Sequence, residues 1–309
     1  AKFFLFSIFS EEIFKTPLKN YAGYIIMVTD AAGTVEAVFE KKLHPKGGTV
    51  LMSISGENIR NIAVIGHSGE GKTTLCEAML FNGGATDRQG KVADGTTVTD
   101  FDEFEKAKKM SMYTACAYLM WKGVKINLLD LPGFYDFEGE RHEGLRAASG
   151  ALLVIGANGV LPIGAESVVD YCLRLGKPLI IFINGMDKEN ADYWGTVRAL
   201  KEKYAGKLAP IQIPIMENGK MQGCINALQE KAYRFTATGA EEIPIPDDLK
   251  AQVEEMQYSL METAAENDEV LLDKYFESGH LTREETIHGI RLGIASVNTI
   301  PVMAGSALQ

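Results

Sequence analysis

The stretch GHSGEGKTT, Gly66 to Thr74, constrains this chain more than any other feature. It fits G-x-x-x-x-G-K-[ST], with an apolar run of strand length, Asn61 to Ile65, before it and a run of helical character, TTLCEAML, after it. In that setting the match reads as a loop that grips a phosphate chain rather than as a chance glycine turn. Glycines let successive N–H groups converge on phosphate oxygens, and the helix N-terminus adds partial positive charge. Gly66, His67, Ser68, Gly69, Glu70, Gly71, Lys72, Thr73 and Thr74 are therefore candidate nucleotide contacts. Lys72 is expected to reach the β- and γ-phosphates, and the Thr73 hydroxyl to ligate Mg2+. His67 is read as packed or turned outward, because backbone amides carry this loop's chemistry.

From Asn61 onward, apolar runs of strand length alternate with segments of helical period, the pattern of a parallel sheet flanked by helices. The expected fold is α/β, of the P-loop NTPase type. Strands are predicted at Asn61 to Ile65, ACAYLMW, VKINLLD, GALLVIGA, KPLIIFIN and, near the end of the chain, TIPVMAG. The second and third should pair as a hairpin through Lys122-Gly123, one antiparallel member in an otherwise parallel sheet. Residues 210–299 break this rhythm and read as a small α+β insertion. There APIQIPI and GCINALQEKAYRF read as strands, and IPIPDDLKAQVEEMQYSLMETAAEND as a helix with Pro246 and two aspartates at its start. TREETIHGIRLGIASV reads as a further helix, opened by a Thr282/Glu285 capping box. The expected organisation is a nucleotide domain over 52–209, the insertion over 210–299, and a return at 300–309 as last strand and base-binding loop.

Residues 1–51 differ in character. A hairpin around Asp30-Ala31-Ala32-Gly33 is compatible with the β-rich runs beside it, but HPKGGTV interrupts it. Two readings stand. One is an upstream region translated in frame, with Met52 as the natural start, because Lys46-Gly47-Gly48 can be encoded by a purine-rich ribosome-binding sequence. The other is a genuine N-terminal extension. The start on Ala1 and the stop at GSALQ read as the ends of a fragment. A helix would normally cover the last strand, so exposed apolar surface and poor solubility are expected.

Composition narrows the functional classes. At 309 residues and 46% hydrophobic, the chain can bury one large core or two moderate ones. A formal net charge of −10 sets the overall field against a protein that coats DNA or an anionic membrane. No apolar run approaches the ~20 residues of a membrane-spanning helix. AKFFLFSIF lacks a small-residue cleavage site and does not read as a secretory signal. Cys76, Cys116, Cys172 and Cys224 lie far apart without C-x-x-C spacing, and read as buried thiols in a reducing, cytoplasmic setting.

Three further motifs follow the loop. Asp130-Leu131-Pro132-Gly133 ends the run VKINLLD, where a carboxylate can hold a Mg2+ shell and the Gly133 N–H can turn onto a γ-phosphate. Pro-Gly alone is an ordinary turn, and the phosphate loop gives it weight. In FINGMDKEN, Asn184 and Asp187 follow an apolar strand, at the carboxyl edge where open α/β sheets bind ligands. An aspartate there can accept from guanine N1–H and N2–H2, a donor pair that adenine lacks. Last, GSAL at 305–308 places the backbone of Ser306, Ala307 and Leu308 where it could meet the guanine carbonyl.

In this order, the phosphate loop, LDLPG, NGMD and GSAL make the chain resemble the nucleotide-binding domain of bacterial elongation factor G. GVLPIGAESVVDYC and FINGMDKENADYW resemble its intervening segments, and the insertion matches an extra subdomain of that factor. The resemblance covers Met52 to Gln309. It implies a Mg2+-dependent GTPase that binds GTP and GDP and works on the ribosome through further domains; the chain is expected to be a monomer. Release factor 3 and the tetracycline-resistance ribosomal protection proteins share the motif order. The resemblance also implies that residues 83–114 are the first switch segment and that Ser111 replaces a threonine whose hydroxyl touches the metal; the plainer alternative is a mobile surface loop. EFEKAKK inside it reads as a solvated face, and Trp121 and Trp194 as packing at domain edges.

Three residues depart from the resemblance. Phe134 stands where the family usually has a histidine that orients the attacking water, Gly69 where the loop typically carries an aspartate, and Gly185 where a lysine packs its stem along the base. The first two resemble a divergent branch of elongation factor G-like proteins. Phenylalanine offers no hydrogen bond, and positioning is much of what phosphoryl transfer needs. Hydrolysis is therefore expected to be slow in isolation and open to rescue by a partner. Gly185 is expected to weaken guanine affinity more than specificity, since Asp187 remains. A nucleotide-gated ribosome-binding module with little hydrolysis is the alternative from another class; an ATPase is disfavoured by Asp187 together with GSAL.

Overall fold

Strand β4 (Ile59–Ile65) lies inside a seven-stranded sheet and delivers the glycine loop to its carboxyl edge. This computed structural model describes residues 28–29, 35–41, 50–236 and 239–308. Before β4, strands β1 (Val28–Thr29), β2 (Val35–Lys41) and β3 (Val50–Ile54) pair antiparallel, with Met52 opposite Phe39. The turn expected at Asp30-Ala31-Ala32-Gly33, and Lys46-Gly47-Gly48, lie outside the described residues.

After β4 come helix α1 (Lys72–Asn82), the short helix α2 (Glu103–Lys108), strands β5 (Ala115–Trp121) and β6 (Val124–Asp130), and helix α3 (Glu138–Ala147). Strand β7 (Gly150–Gly156), helix α4 (Ile163–Arg174), strand β8 (Leu179–Asn184), helix α5 (Tyr193–Tyr204) and strand β9 (Leu208–Pro210) follow. The order across the sheet is β5-β6-β4-β7-β8-β14-β9, where β14 (Ile300–Ala304) is the last strand. Every neighbouring pair is parallel except β5 with β6. That hairpin turns at Lys122 and Gly123 with φ of 46° and 82°, the positive pair a tight two-residue turn requires. β7 and β8 are buried along their whole length, which is why they read as unbroken apolar runs.

Three sequence expectations need correction. The main sheet has a seventh strand: Leu208–Pro210 joins it as β9, while Gln212–Glu217 leaves as β10, so APIQIPI is two strands in two sheets. The last strand is not bare, because β14 lies between β8 and β9 and every residue in it is buried; the expected apolar exposure is absent there. Cys116 is exposed, unlike the other three cysteines, because β5 is the outermost strand and alternate residues point outward. Residues 83–114, whose plainer alternative was a surface loop, carry a helix of their own, α2, capped at Asp102 by a capping box with Glu105.

Residues 212–295 add an antiparallel sheet in the order β10-β11-β12-β13, with β11 (Lys220–Asn226), β12 (Lys231–Thr236) and β13 (Gly239–Ile243). Helices α6 (Lys250–Ala265), α7 (Glu269–Ser278) and α8 (Arg283–Ala295) follow. The Thr282/Glu285 capping box opens α8, as its sequence predicts. Helix α7 was not anticipated, although Asp268 caps it by accepting from the amides of Val270 and Leu271, and Gly279 closes it. Leu260, Ala264, Ile290 and Ile294 of α6 and α8 belong to the same buried cluster as the main sheet, whereas Ile213, Ile215, Ile225 and Val253 form a small core of their own.

Leu152, at the middle of β7, has no exposed surface. Its truncation to alanine is expected to cost about 2–5 kcal/mol through lost burial and the cavity left behind. Urea unfolding should show this as a lower midpoint with an unchanged slope.

Candidate phosphate and base site

The loop from Gly66 to Gly71 leads into α1, whose first residues Lys72 and Thr73 are almost wholly buried. Lys72 Nζ donates to the His67 carbonyl at 3.1 Å, so the lysine folds back inside the loop. Burial lowers the Lys72 pKa, and the neighbouring Asp130 carboxylate opposes that fall. The His67 ring is turned toward Tyr135, with centroids 6.2 Å apart, and Glu70 packs toward Gly156. Thr74 is half-buried in the first turn of α1.

The Asp130-Leu131-Pro132-Gly133 segment lies directly against this loop. Strand β6 pairs with β4 so that Asp130 stands opposite Val64, and the Leu131 amide donates to the Val64 carbonyl at 3.1 Å. A Cβ on Gly133 would sit 2.5 Å from Lys72 Nζ and 2.6 Å from the Ser68 nitrogen, closer than side-chain atoms approach. Only glycine lets these two segments meet. Asp130 is 1% exposed; one of its oxygens accepts from Thr99 Oγ1 at 2.8 Å and the other, Oδ1, has no hydrogen-bond partner among the described residues. Burial raises the Asp130 pKa to about 6, against the pull of Lys72 and of the Thr99 hydrogen bond. Ser111 Oγ lies 3.1 Å from Thr73 Oγ1 and donates to Asp100 Oδ1 at 2.7 Å. Thr73, Ser111 and the unpartnered oxygen of Asp130 thus form a hard-oxygen donor set beside the lysine, which fits Mg2+.

Segment 83–114 is held here by carboxylates that sequence reading missed. Glu77 on α1 has no exposed surface and accepts from the amides of Gly90, at 3.0 Å, and Val98, at 2.6 Å. Its position was legible in principle, since Thr73, Glu77 and Leu80 share one face of α1 with the buried Cys76. Glu105 is 1% exposed and accepts from the amides of Met112 and Tyr113, which corrects the reading of EFEKAKK as wholly solvated. No periodicity pointed to it.

Asn184, at the end of β8, ties the remaining motifs together. Its Nδ2 donates to the Glu70 carbonyl at 2.8 Å, and its Oδ1 accepts from the Ala307 amide at 3.0 Å. The Ala307 amide is therefore engaged within the protein, and Ser306 Oγ accepts from the Leu308 amide at 3.1 Å while the Leu308 side chain is exposed. Gln89 Nε2 donates to the Ala307 carbonyl at 2.9 Å, another contact no motif announced. Asp187 is half-buried two residues beyond Gly185, where the Met186 amide donates to the Gly305 carbonyl.

The departing positions have local reasons. Gly69 has open space around it but a φ of +83°, and Gly185 a φ of +82°, both costly for an L side chain. The stem of Lys188 lies where a side chain at 185 would start, with Cε 3.2 Å from that point. Phe134 is half-buried. Among the described residues, no helix is long and apolar enough to cross a membrane.

A family model described as Elongation factor Tu GTP binding domain matches residues 57–309. Among solved structures, a crystal structure of a protein from Thermus thermophilus is 34% identical, with a TM-score of 0.76. The match covers 81% of this chain and 38% of that one, so this chain spans well under half of that protein's length.

Two outcomes follow. With a folded-state pKa near 6 against an ordinary 3.8, native Asp130 holds its proton more tightly than the unfolded chain does. Stability from this group is present below pH ~4 and lost as pH rises to ~6, by at most about 3 kcal/mol. Asp130→Asn should therefore melt higher than wild type at pH 7.5, without nucleotide or metal, and nearly alike at pH 4. Glu77→Gln should cost about 1–3 kcal/mol, since an amide cannot accept from both N–H groups. Hydrogen exchange should accelerate at residues 90–100 while β7 and β8 stay protected.

Proposed function

The chain belongs to the family of elongation factor Tu GTP binding domains, and from that premise we propose that it is the GTP-binding and GTP-hydrolysing domain of an elongation factor G-like ribosomal translocation factor. The supporting observation is the bridge at Asn184, which joins the phosphate loop through Glu70 to the base loop through Ala307. With β6 setting Asp130 and Gly133 against Lys72, the residues that this reading assigns to phosphate, metal and base lie along one carboxyl edge of the sheet.

In this reading the amides of residues 66–73 and Lys72 hold the phosphates. Thr73, Ser111 and Asp130 would hold Mg2+, which would neutralise charge on the β- and γ-phosphates. The Gly133 N–H meets the γ-phosphate, and Ser111, 3.1 Å from Thr73, makes 83–114 responsive to the same nucleotide state. Asn184 orients the base pocket, and Asp187 accepts from guanine N1–H and N2–H2, with the backbone of Ser306, Ala307 and Leu308 closing the other side. The lysine stem absent at Gly185 is partly replaced by that of Lys188. Hydrolysis is slow in isolation because Phe134 places no hydrogen-bonding group beside Gly133, and the ribosome is the partner that speeds it.

That same residue favours a second reading, a nucleotide-gated ribosome-binding module that hydrolyses little. Single-turnover hydrolysis with and without ribosomes separates the two: stimulation supports the enzyme, and a flat, near-zero rate the module. The nucleotide class is tested by equilibrium competition. GDP and a non-hydrolysable GTP analogue should bind with Mg2+ at least about 100-fold more tightly than ATP, and Asp187→Ala should erase most of that preference. Equal affinity for ATP and GTP would sink the guanine assignment.

A further inference from the structure

Arg141, in the first half of α3, is a buried cation with too few partners. It is 5% exposed, yet its only ion pair among the described residues is a 3.6 Å contact from Nη2 to Glu138, whose own side chain is 56% exposed. Its Nε is buried without a hydrogen-bond partner. Beyond that, the guanidinium lies over the Tyr135 ring, 5.4 Å from the centroid. A guanidinium carries five N–H donors, and burying its charge is strongly unfavourable unless it is paired. One long contact to an exposed carboxylate and one cation–π contact do not offset that.

Its surroundings indicate what would. Tyr135, which covers Arg141, faces His67 of the phosphate loop, and its hydroxyl lies 3.1 Å from where a Cβ on Gly164 would sit, at the start of α4. Arg141 therefore sits beneath the junction of the phosphate loop, the Gly133 turn and α4. Its charge is felt at Lys72, where it adds to burial in lowering that lysine's pKa. Two buried cations thus converge on one end of the site, the end where Phe134 offers no donor.

We propose that Arg141 is the internal cation of this site, an arginine supplied from α3 that donates through its free N–H groups to the terminal phosphate of GTP and stabilises the charge developing there. This rests on the reading of the site as a GTP site. In the reaction a water oxygen bonds to the γ-phosphorus as the bond from that phosphorus to the β–γ bridging oxygen breaks. The bonding pair stays on the GDP oxygen, the water proton passes to the released phosphate, and Arg141 itself neither gains nor loses a proton. An arginine so placed discriminates GTP from GDP, because only the triphosphate reaches it.

The test uses the full chain, the variants Arg141→Met and Arg141→Lys, which keep the stem's bulk, and Arg141→Ala, which leaves room for a rescuing ion. Wild-type binding of GDP with Mg2+ is measured first, and its failure would remove the GTP reading rather than the role of Arg141. Given binding, both variants should melt within a few degrees of wild type and bind GDP alike. Single-turnover hydrolysis should fall about 100-fold or more in Arg141→Met, and the preference for a non-hydrolysable GTP analogue over GDP should fall about tenfold. Added guanidinium ion at low millimolar concentration should restore part of the rate to Arg141→Ala and none to wild type, a response a purely structural arginine would not give. The affinity ratio is read whatever the intrinsic rate. An Arg141→Met protein that keeps the wild-type ratio and rate overturns the proposal, as does the failure of both bulk-preserving variants to fold, which would make the arginine structural.

Discussion

The parallel pairing of β4 with β6 is the constraint from which the rest of the site follows. Because Val64 stands opposite Asp130, the two strands end in step, and the chain leaves both at the same edge. The Gly66 loop and the Asp130 to Gly133 turn are then forced against each other, at a separation that excludes any side chain on residue 133. A one-residue slip would turn Asp130 to the opposite face of the sheet and separate its carboxylate from Lys72.

That close approach concentrates charge where water is scarce. Lys72 and Arg141 carry buried cationic groups and Asp130 a buried carboxylate, and the shifts on Lys72 and Asp130 show desolvation outweighing their mutual attraction. Such an arrangement is poor at stabilising the bare protein and well prepared for a ligand that brings both anionic oxygens and a cation. Segment 83–114 is attached by a different chemistry. Glu77 and Glu105 accept backbone amides, so 83–114 depends on a few charge-assisted hydrogen bonds rather than on a large apolar interface. Exposed Val98, Phe101 and Phe104 in the same segment fit that account, since its apolar side chains are not what hold it.

Much of this was legible because it is local. The phosphate loop, the hairpin at Lys122-Gly123, the buried runs of β7 and β8 and the Thr282/Glu285 cap each depend on neighbours within a few residues. The boundary at Pro210 is not local in this sense. β9 and β10 are separated by one residue and look alike, and which sheet each joins depends on strands far away in the chain. Asn218-Gly219, with φ of 53° and 74°, is a strong local hairpin signal that divides β10 from β11, and Asp268 with Gly279 marks α7.

Sequence alone determined the fold class, the sheet's alternation with helices and the identity of the motifs, since these rest on period, turn chemistry and spacing. Tertiary structure alone decided that Asn184 bridges two loops, that Glu77 and Glu105 hold segment 83–114 and that Arg141 is buried without adequate partners. The physical reason is that a polar side chain's worth depends on which groups share its burial, and those groups are gathered from positions far apart in the chain.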